Sequence, residues 1–211
     1  MASRAEIVPV ERRASRGAAD NSDVFGDALL AHFQSLATSL GRPCYHPTNA
    51  TRWAAMIDDE KFLRLAIDVA RRARASGNHP FGAILVGPDG AVLMEAGNAH
   101  GDAGDRTGHA ERVLMTRASL SYAADFLASC TLYASAEPCA MCAGAAYWAG
   151  VGRVVYGLSE HEMRDIIGPH PENLTMDLPC RTVFAAGQRA VEVVGPLLED
   201  EARSVHDGFW S

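Results

Sequence analysis

No stretch of this 211-residue chain is long and apolar enough to cross a membrane, although 48% of its residues are hydrophobic. That share suffices for a sizeable core, so the chain reads as a globular domain without a membrane span. Cysteine is sparse: the five present, with no apolar secretory segment near the start, argue for a reducing cytoplasm rather than a disulfide framework. A transit peptide is equally absent from the reading, since Glu6, Glu11 and Asp20 stand among Arg12, Arg13 and Arg16. Internal repeats are missing too, which excludes a solenoid. Positive charge is short where it would matter for binding phosphates. From residue 56 onward the chain holds 13 Lys and Arg against 21 Asp and Glu, whereas the first 55 residues hold 6 against 5. Nucleic-acid binders draw most of their affinity from basic footprints, so this balance speaks against a nucleic-acid partner and for a small molecule. The triplet Arg71, Arg72 and Arg74 is read as the solvated face of a helix.

What is present divides into two parts. Residues 1–55 form an N-terminal extension, partly disordered in its polar first third, with a short amphipathic helix expected over 25–40 from Leu29, Leu30, Phe33 and Leu36. Residues 56–211 form the main domain. Apolar spacing at Phe62, Ala66, Val69, Ala70 and Ala73 predicts a helix over 58–75, capped by Asp58 or Asp59 and ended by Gly77. Residues 81–86 read as a buried strand, and Pro88-Asp89-Gly90 as the turn of a hairpin to a strand over 91–94. A helix from 109, a strand over 131–134, a helix over 139–149, a strand over 153–156, a weak last strand over 191–194 and a short helix over 197–206 follow. Strands alternating with helices predict an α/β fold with crossover connections.

The chemistry lies in two short motifs, His109-Ala110-Glu111 and Pro138-Cys139-Ala140-Met141-Cys142. Catalytic zinc takes three protein ligands and keeps a fourth position open, and His109, Cys139 and Cys142 offer one nitrogen and two sulfurs. Cysteines three apart at a helix start share one face, and the helix dipole there favours thiolate. Cys-x-x-Cys by itself also serves redox chemistry and structural zinc, but no second such pair exists and Cys44, Cys130 and Cys180 stand singly. Glu111, about 200° around a helix from His109, is poorly aimed to share the metal and well suited to move protons beside it. A His-x-Glu followed by Pro-Cys-x-x-Cys is the signature of zinc deaminases that act on bases. The reaction it predicts is hydrolytic deamination, in which water activated by Zn2+ attacks an amidine-like carbon and ammonia leaves. A zinc-bearing scaffold without activity has no need of Glu111.

On these motifs the chain resembles the cytidine deaminase-like superfamily, from about residue 58 to 157, with bacterial guanine deaminase and bacterial tRNA adenosine deaminase as the nearest likenesses. The resemblance implies a three-layer α-β-α fold with a five-stranded mixed sheet, a homodimer, and the roles just given to His109, Cys139, Cys142 and Glu111. It also implies that Asn98, whose amide offers a donor and an acceptor, binds the substrate base. Read without the likeness, Asn98 is a turn residue after a strand. Ala110 and Phe81 are counted with the substrate-binding residues. Substrate signals divide: Tyr147-Trp148 resembles the guanine deaminase form, while residues 152–157 resemble the tRNA-editing form. Gly108 stands where both subgroups carry a larger residue.

Charge favours a free base or nucleoside, with a purine as the expected substrate. The alternatives are tRNA adenosine-to-inosine editing and deamination of cytosine, a triazine or a pterin. Glu160 and Glu162 are read as surface acids at a helix start. The terminal Phe209-Trp210 pair is either a plug docked on the body or a lid over a flat substrate, which makes Trp210 a further candidate for substrate contact.

Overall fold

The computed structural model describes residues 58–170 and 175–210. The N-terminal extension and its expected helix over 25–40 lie outside the described residues. Helix α1 (Asp59–Ala75) begins where Asp58 Oδ1 accepts the Lys61 N–H at 3.0 Å, so Asp58 is the cap. Asp59 is thereby released for other work. Its carboxylate accepts both arms of Arg153 at 2.7 and 2.8 Å and the Tyr133 hydroxyl at 2.8 Å, fastening the helix start to the sheet. Burial acts to raise the Asp59 pKa, but Arg153 and Tyr133 outweigh it and hold the carboxyl below its usual range.

Strand β1 (Gly82–Val86) turns through the expected hairpin into β2 (Val92–Gly97), with Gly90 at φ +81 where a side chain would be strained. After the short helix α2 (His100–Ala103) come α3 (Ala110–Ser121), α4 (Ala124–Leu127), β3 (Thr131–Ala136), α5 (Ala140–Ala149), β4 (Arg153–Leu158) and α6 (Glu160–Ile167). Helix α7 (Cys180–Ala185), strand β5 (Glu192–Val194) and helix α8 (Glu199–Ser204) complete the described chain. The sheet runs β2-β1-β3-β4-β5, antiparallel across β2, β1 and β3 and parallel across β3, β4 and β5. It is the five-stranded mixed sheet that the family resemblance implies.

Alternation along the strands assigns each face its own core. Ala83, Leu85, Leu132, Ala134, Val154 and Tyr156 meet Leu114 and Ala118 of α3, Ala143 and Ala146 of α5 and Phe184 of α7. Ile84, Val86, Tyr133 and Val155 meet Leu63, Ala66, Ile67 and Ala70 of α1, Met163 and Ile167 of α6 and Ala202 of α8. Helices thus cover both faces, giving three layers. Each fully buried Leu or Ile contributes about 1.5–3 kcal/mol. Gly82 allows the closest approach: a Cβ there would lie 2.3 Å from Ala70 N and 2.5 Å from Ala66 O, so the α1 backbone rests directly on β1.

Strands β2, β3 and β4 run two or three residues past their expected ends, where ladder pairing continues to Gly97, Ala136 and Leu158, whereas β1, α1 and α5 each begin one residue later than expected. The last strand is short, and α8 begins two residues later than residue 197. Among the described residues no helix is long and apolar enough to cross a membrane.

Candidate active site

Strands β3 and β4 are parallel with Ala136 beside Leu158, so the chain leaves both at the same end of the sheet. Open α/β sheets place their ligands at the carboxyl ends of such strands. There Cys139 is the N-cap of α5 in an extended conformation, and Cys142 lies in the first turn of that helix. Pro138 precedes the cap instead of occupying the first helical position. Opposite, His109 is the N-cap of α3 with ψ 143. Its side chain therefore leaves from extended backbone, so a helical angle between His109 and Glu111 does not apply, although Glu111 does occupy the first turn of α3.

Two backbone contacts bring His109 to its place. The Ala99 N–H donates to Gly108 O at 2.8 Å, and the Gly108 N–H donates to Asp105 O at 2.8 Å. Gly108 is required by that crossing, since a Cβ would lie 2.9 Å from Asp105 O and 3.2 Å from the Ala99 carbonyl carbon. Arg112 clamps the same loop through Asp105 Oδ2 at 2.6 Å and the Thr107 carbonyl.

The ligand atoms of His109, Cys139 and Cys142 all lie within 4.8 Å of one another, with His109 Nδ1 3.6 Å from Cys139 Sγ. A nitrogen and a sulfur held tetrahedrally at zinc distances of about 2.1 and 2.3 Å stand about 3.6 Å apart, so this donor set fits zinc. Electrostatics agree. The Cys142 thiol donating to Cys139, against the opposing effect of burial, pulls the Cys139 pKa down to about 4, with His109 adding to the effect. Cys142 is pushed up in turn, by Cys139 first and then by burial. The pair thus holds one thiolate beside the imidazole, a concentration of negative charge that a cation relieves.

Glu111 is only 6% exposed, and burial first, then the Cys139 thiolate, raises its pKa to about 7. A carboxyl poised near neutrality can both take and give a proton. Asn98 is buried at the end of β2. Its N–H donates to Phe81 O at 3.0 Å, and its Oδ1 accepts the His100 N–H at 2.9 Å. The turn reading of Asn98 is thus correct for its oxygen. Ala110 is fully buried in the core beside Leu114, so a ligand contact there falls to its backbone.

The terminal aromatics return to this region. The Trp210 ring lies 6.2 Å from Phe81 and 5.1 Å from His79 between centroids, and its Nε1–H donates to His206 Nδ1 at 3.2 Å. Phe81 and Trp210, singled out separately in the sequence, belong to one cluster. Arg74 secures it. Its guanidinium donates to the Val205 and Asp207 carbonyls at 2.6 and 2.7 Å and sits 5.7 Å from the Phe209 ring centroid. Arg71 pairs with Asp68 and Arg72 with Glu95, so the triplet is occupied within the molecule.

Sequence reasoning missed Glu137 and misread Glu160. The buried Glu137 carboxylate accepts the Glu160 N–H at 3.0 Å and the Cys180 N–H at 2.8 Å, which ties the starts of α6 and α7 to the residue two before Cys139. Its own N–H donates to Leu158 O at 2.7 Å, continuing the β3–β4 pairing into the ligand loop. The only available signal was an acid immediately before Pro-Cys. Glu160, expected at the surface, is 6% exposed, and burial chiefly pushes its pKa up to about 8. The helix start was read correctly, but the packing of α6 against the ligand loop turns this acid inward. Glu162 is half-buried and pairs with Arg203. Tyr147 is a packing residue whose hydroxyl accepts the Gln188 and Arg189 N–H groups at 2.8 and 3.2 Å, while Trp148 is 86% exposed.

This geometry agrees with what the chain is similar to. Residues 56–158 match the cytidine and deoxycytidylate deaminase zinc-binding region. A probable cytosine deaminase of Schizosaccharomyces pombe is 43% identical over 157 residues, covering 72% of this chain and 92% of that protein. A guanine deaminase of Bacillus subtilis is 40% identical over 106 residues, 50% of this chain and 67% of that protein. A solved structure from studies of A-to-I editing by tRNA:A34 deaminases superposes with a TM-score of 0.54 at 30% identity, covering 69% of this chain and 99% of the other. With its mixed sheet and its His and two Cys grouped to hold a metal, the chain belongs to the zinc-binding cytidine and deoxycytidylate deaminase family, whose cytosine and guanine deaminases are hydrolases of C–N bonds.

Proposed function

We propose that this protein is a zinc-dependent hydrolytic deaminase that releases ammonia from a free amino-substituted heterocycle. The observation that carries the reading is the buried Glu111 carboxyl in the first turn of α3, beside a His and two Cys whose ligand atoms lie within 4.8 Å of one another. His109, Cys139 and Cys142 hold the zinc ion, which when bound supplies the Lewis acidity that activates water for attack. Glu111 accepts the proton that the attacking water gives up and delivers it to a ring nitrogen of the base, then takes the remaining hydroxyl proton of the adduct and hands it to the departing amine, leaving a carbonyl and ammonia. Asn98 holds the base edge. Because its oxygen already accepts from His100, recognition falls chiefly to its NH2 donor, which suits a carbonyl oxygen or an unprotonated ring nitrogen. The apolar cluster of Phe81 and Trp210 shields the flat ring from water.

A free substrate is favoured over tRNA because the main domain carries 21 acids against 13 bases and its arginine triplet is engaged within the molecule. Within free substrates, the expectation of a purine rests on Tyr147-Trp148, and those side chains serve packing and the surface. The likeness to the probable cytosine deaminase runs 157 residues, well beyond the 56–158 region, and supports a pyrimidine base as a second reading. We retain the homodimer as part of the proposal, and sedimentation of the purified protein tests it.

The decisive assay is ammonia release by the zinc-loaded protein from guanine, cytosine, their nucleosides, amino-triazines, a pterin and a tRNA substrate, with the Glu111→Ala protein as blank. Release from a free heterocycle is expected. Release from tRNA alone would overturn the free-substrate reading.

A further inference from the structure

We infer that Glu160 is a second carboxylate of the active site, which accepts a ring N–H of the bound heterocycle and thereby determines specificity. The inference deepens the free-heterocycle reading and rests on it. Three observations lead there. Glu160 is the first residue of α6, immediately past the carboxyl end of β4, and β4 runs parallel to the strand that delivers Cys139. Its backbone N–H is held by Glu137, whose own chain continues directly into Pro138 and Cys139, so the two segments are locked side by side. Finally, Glu160 is only 6% exposed, yet among the described residues no hydrogen bond reaches its carboxylate.

An unpartnered buried carboxylate is costly, and structures retain one where a ligand completes it. The Glu160 oxygens are not sealed off. Among the described residues every fully enclosed side-chain nitrogen or oxygen has a hydrogen-bond partner, so a carboxylate without one opens onto accessible space. Around it stand Cys139, Glu137, Glu111 and His109; the first three are acceptors when ionised, the His109 Nδ1 faces Cys139, and none of the four side chains hydrogen-bonds the Glu160 carboxylate. The partner of suitable chemistry is an N–H of the substrate. An N–H beside Glu160 also favours its ionised form against the effect of burial. The substrate class narrows accordingly. The amino group lost in the reaction faces Glu111, and a second N–H on the ring faces Glu160, as guanine and cytosine can both provide but a fully N-alkylated ring cannot.

The test uses the zinc-loaded full-length protein with guanine, cytosine and their ring N-methyl derivatives as probes. The wild type is expected to discriminate against the derivative lacking the N–H that Glu160 reads by about 10- to 100-fold in kcat/KM, the range of a hydrogen bond to a charged group. Glu160→Ala should lower kcat/KM on the parent base by a similar factor, chiefly through KM, and leave the derivative almost unaffected, so that discrimination collapses. The isosteric Glu160→Gln, which keeps the volume of the site, should discriminate at an intermediate level. Zinc content should match the wild type on both variants, and the unfolding midpoint should be no lower than that of the wild type, since the substitutions remove an unpartnered buried acid. Undiminished discrimination in either folded variant, with an active wild type, would overturn the role of Glu160 alone. A wild type that releases ammonia from no free base would overturn the underlying reading, and this inference with it.

Discussion

Glu111 and His206 are both buried titratable groups, and their surroundings assign them opposite work. Glu111 lies among the metal-binding side chains with a pKa raised to about 7, a state suited to proton exchange. Glu111→Gln keeps the volume and removes the exchangeable proton. The expected outcome is zinc content equal to the wild type and turnover lower by about 10²- to 10⁴-fold, read by metal analysis beside an ammonia assay. His206 is held neutral: burial first, then the nearby Arg74 charge, lowers its pKa to about 4 from 6.5. Its Nδ1 must stay unprotonated to accept from Trp210. Between those two values the unfolded chain binds a proton that the folded one refuses. The contribution is therefore fully present above pH 6.5 and lost as pH falls toward 4, with an upper limit of roughly 3 kcal/mol. Comparing unfolding midpoints of the wild type and His206→Gln from pH 7.5 to 4.5 checks this, and parallel curves would refute it.

The contact of α1 with the sheet and the docking of the terminal segment each depend on one residue. Gly82 lets β1 touch the α1 backbone, and a methyl group there would meet Ala70 N at 2.3 Å. Gly82→Ala should cost about 1–3 kcal/mol or more, visible as a lower denaturant midpoint with unchanged slope. Arg74 draws residues 205–209 onto the end of α1 by two hydrogen bonds and a ring contact. In Arg74→Ala, faster amide exchange over residues 205–210 and a higher KM are expected at equal zinc content. Wild-type exchange there would mean that the aromatic contacts hold the segment unaided. Apolar spacing and the Asp58 cap made α1 legible, and the turn residues did the same for the hairpin. The Arg74 clamp was not legible, because a basic triplet on a helix looks the same whether it faces water or a distant carbonyl.

At the scale of the molecule, zinc ties α3 to α5 across the carboxyl end of the sheet, so metal and stability are linked. Removing zinc by chelation, or replacing Cys139 with Ala, should lower the unfolding midpoint by about 10 °C, from about 4 kcal/mol of linkage at zinc a thousandfold above its Kd. Restored zinc should recover it in the wild type alone, and a midpoint indifferent to chelation would remove the metal from the fold's support. The sequence by itself determined the donor set, because His-x-Glu and Pro-Cys-x-x-Cys are local spacings whose chemistry follows from a single helix start each. It also determined the alternation of strands and helices, since strand runs and helical spacing are likewise local. Glu111 was assigned from its motif, and only the tertiary structure decided where the other acids near the site go. Glu137 joins the starts of α6 and α7, Glu160 turns inward and Glu162 pairs with Arg203, all because β3 and β4 lie parallel and end together. The same structure gave Gly108 its reason, a backbone crossing with Ala99 nine residues away. Burial and proximity between distant segments are properties of the packed chain, and no local spacing encodes them.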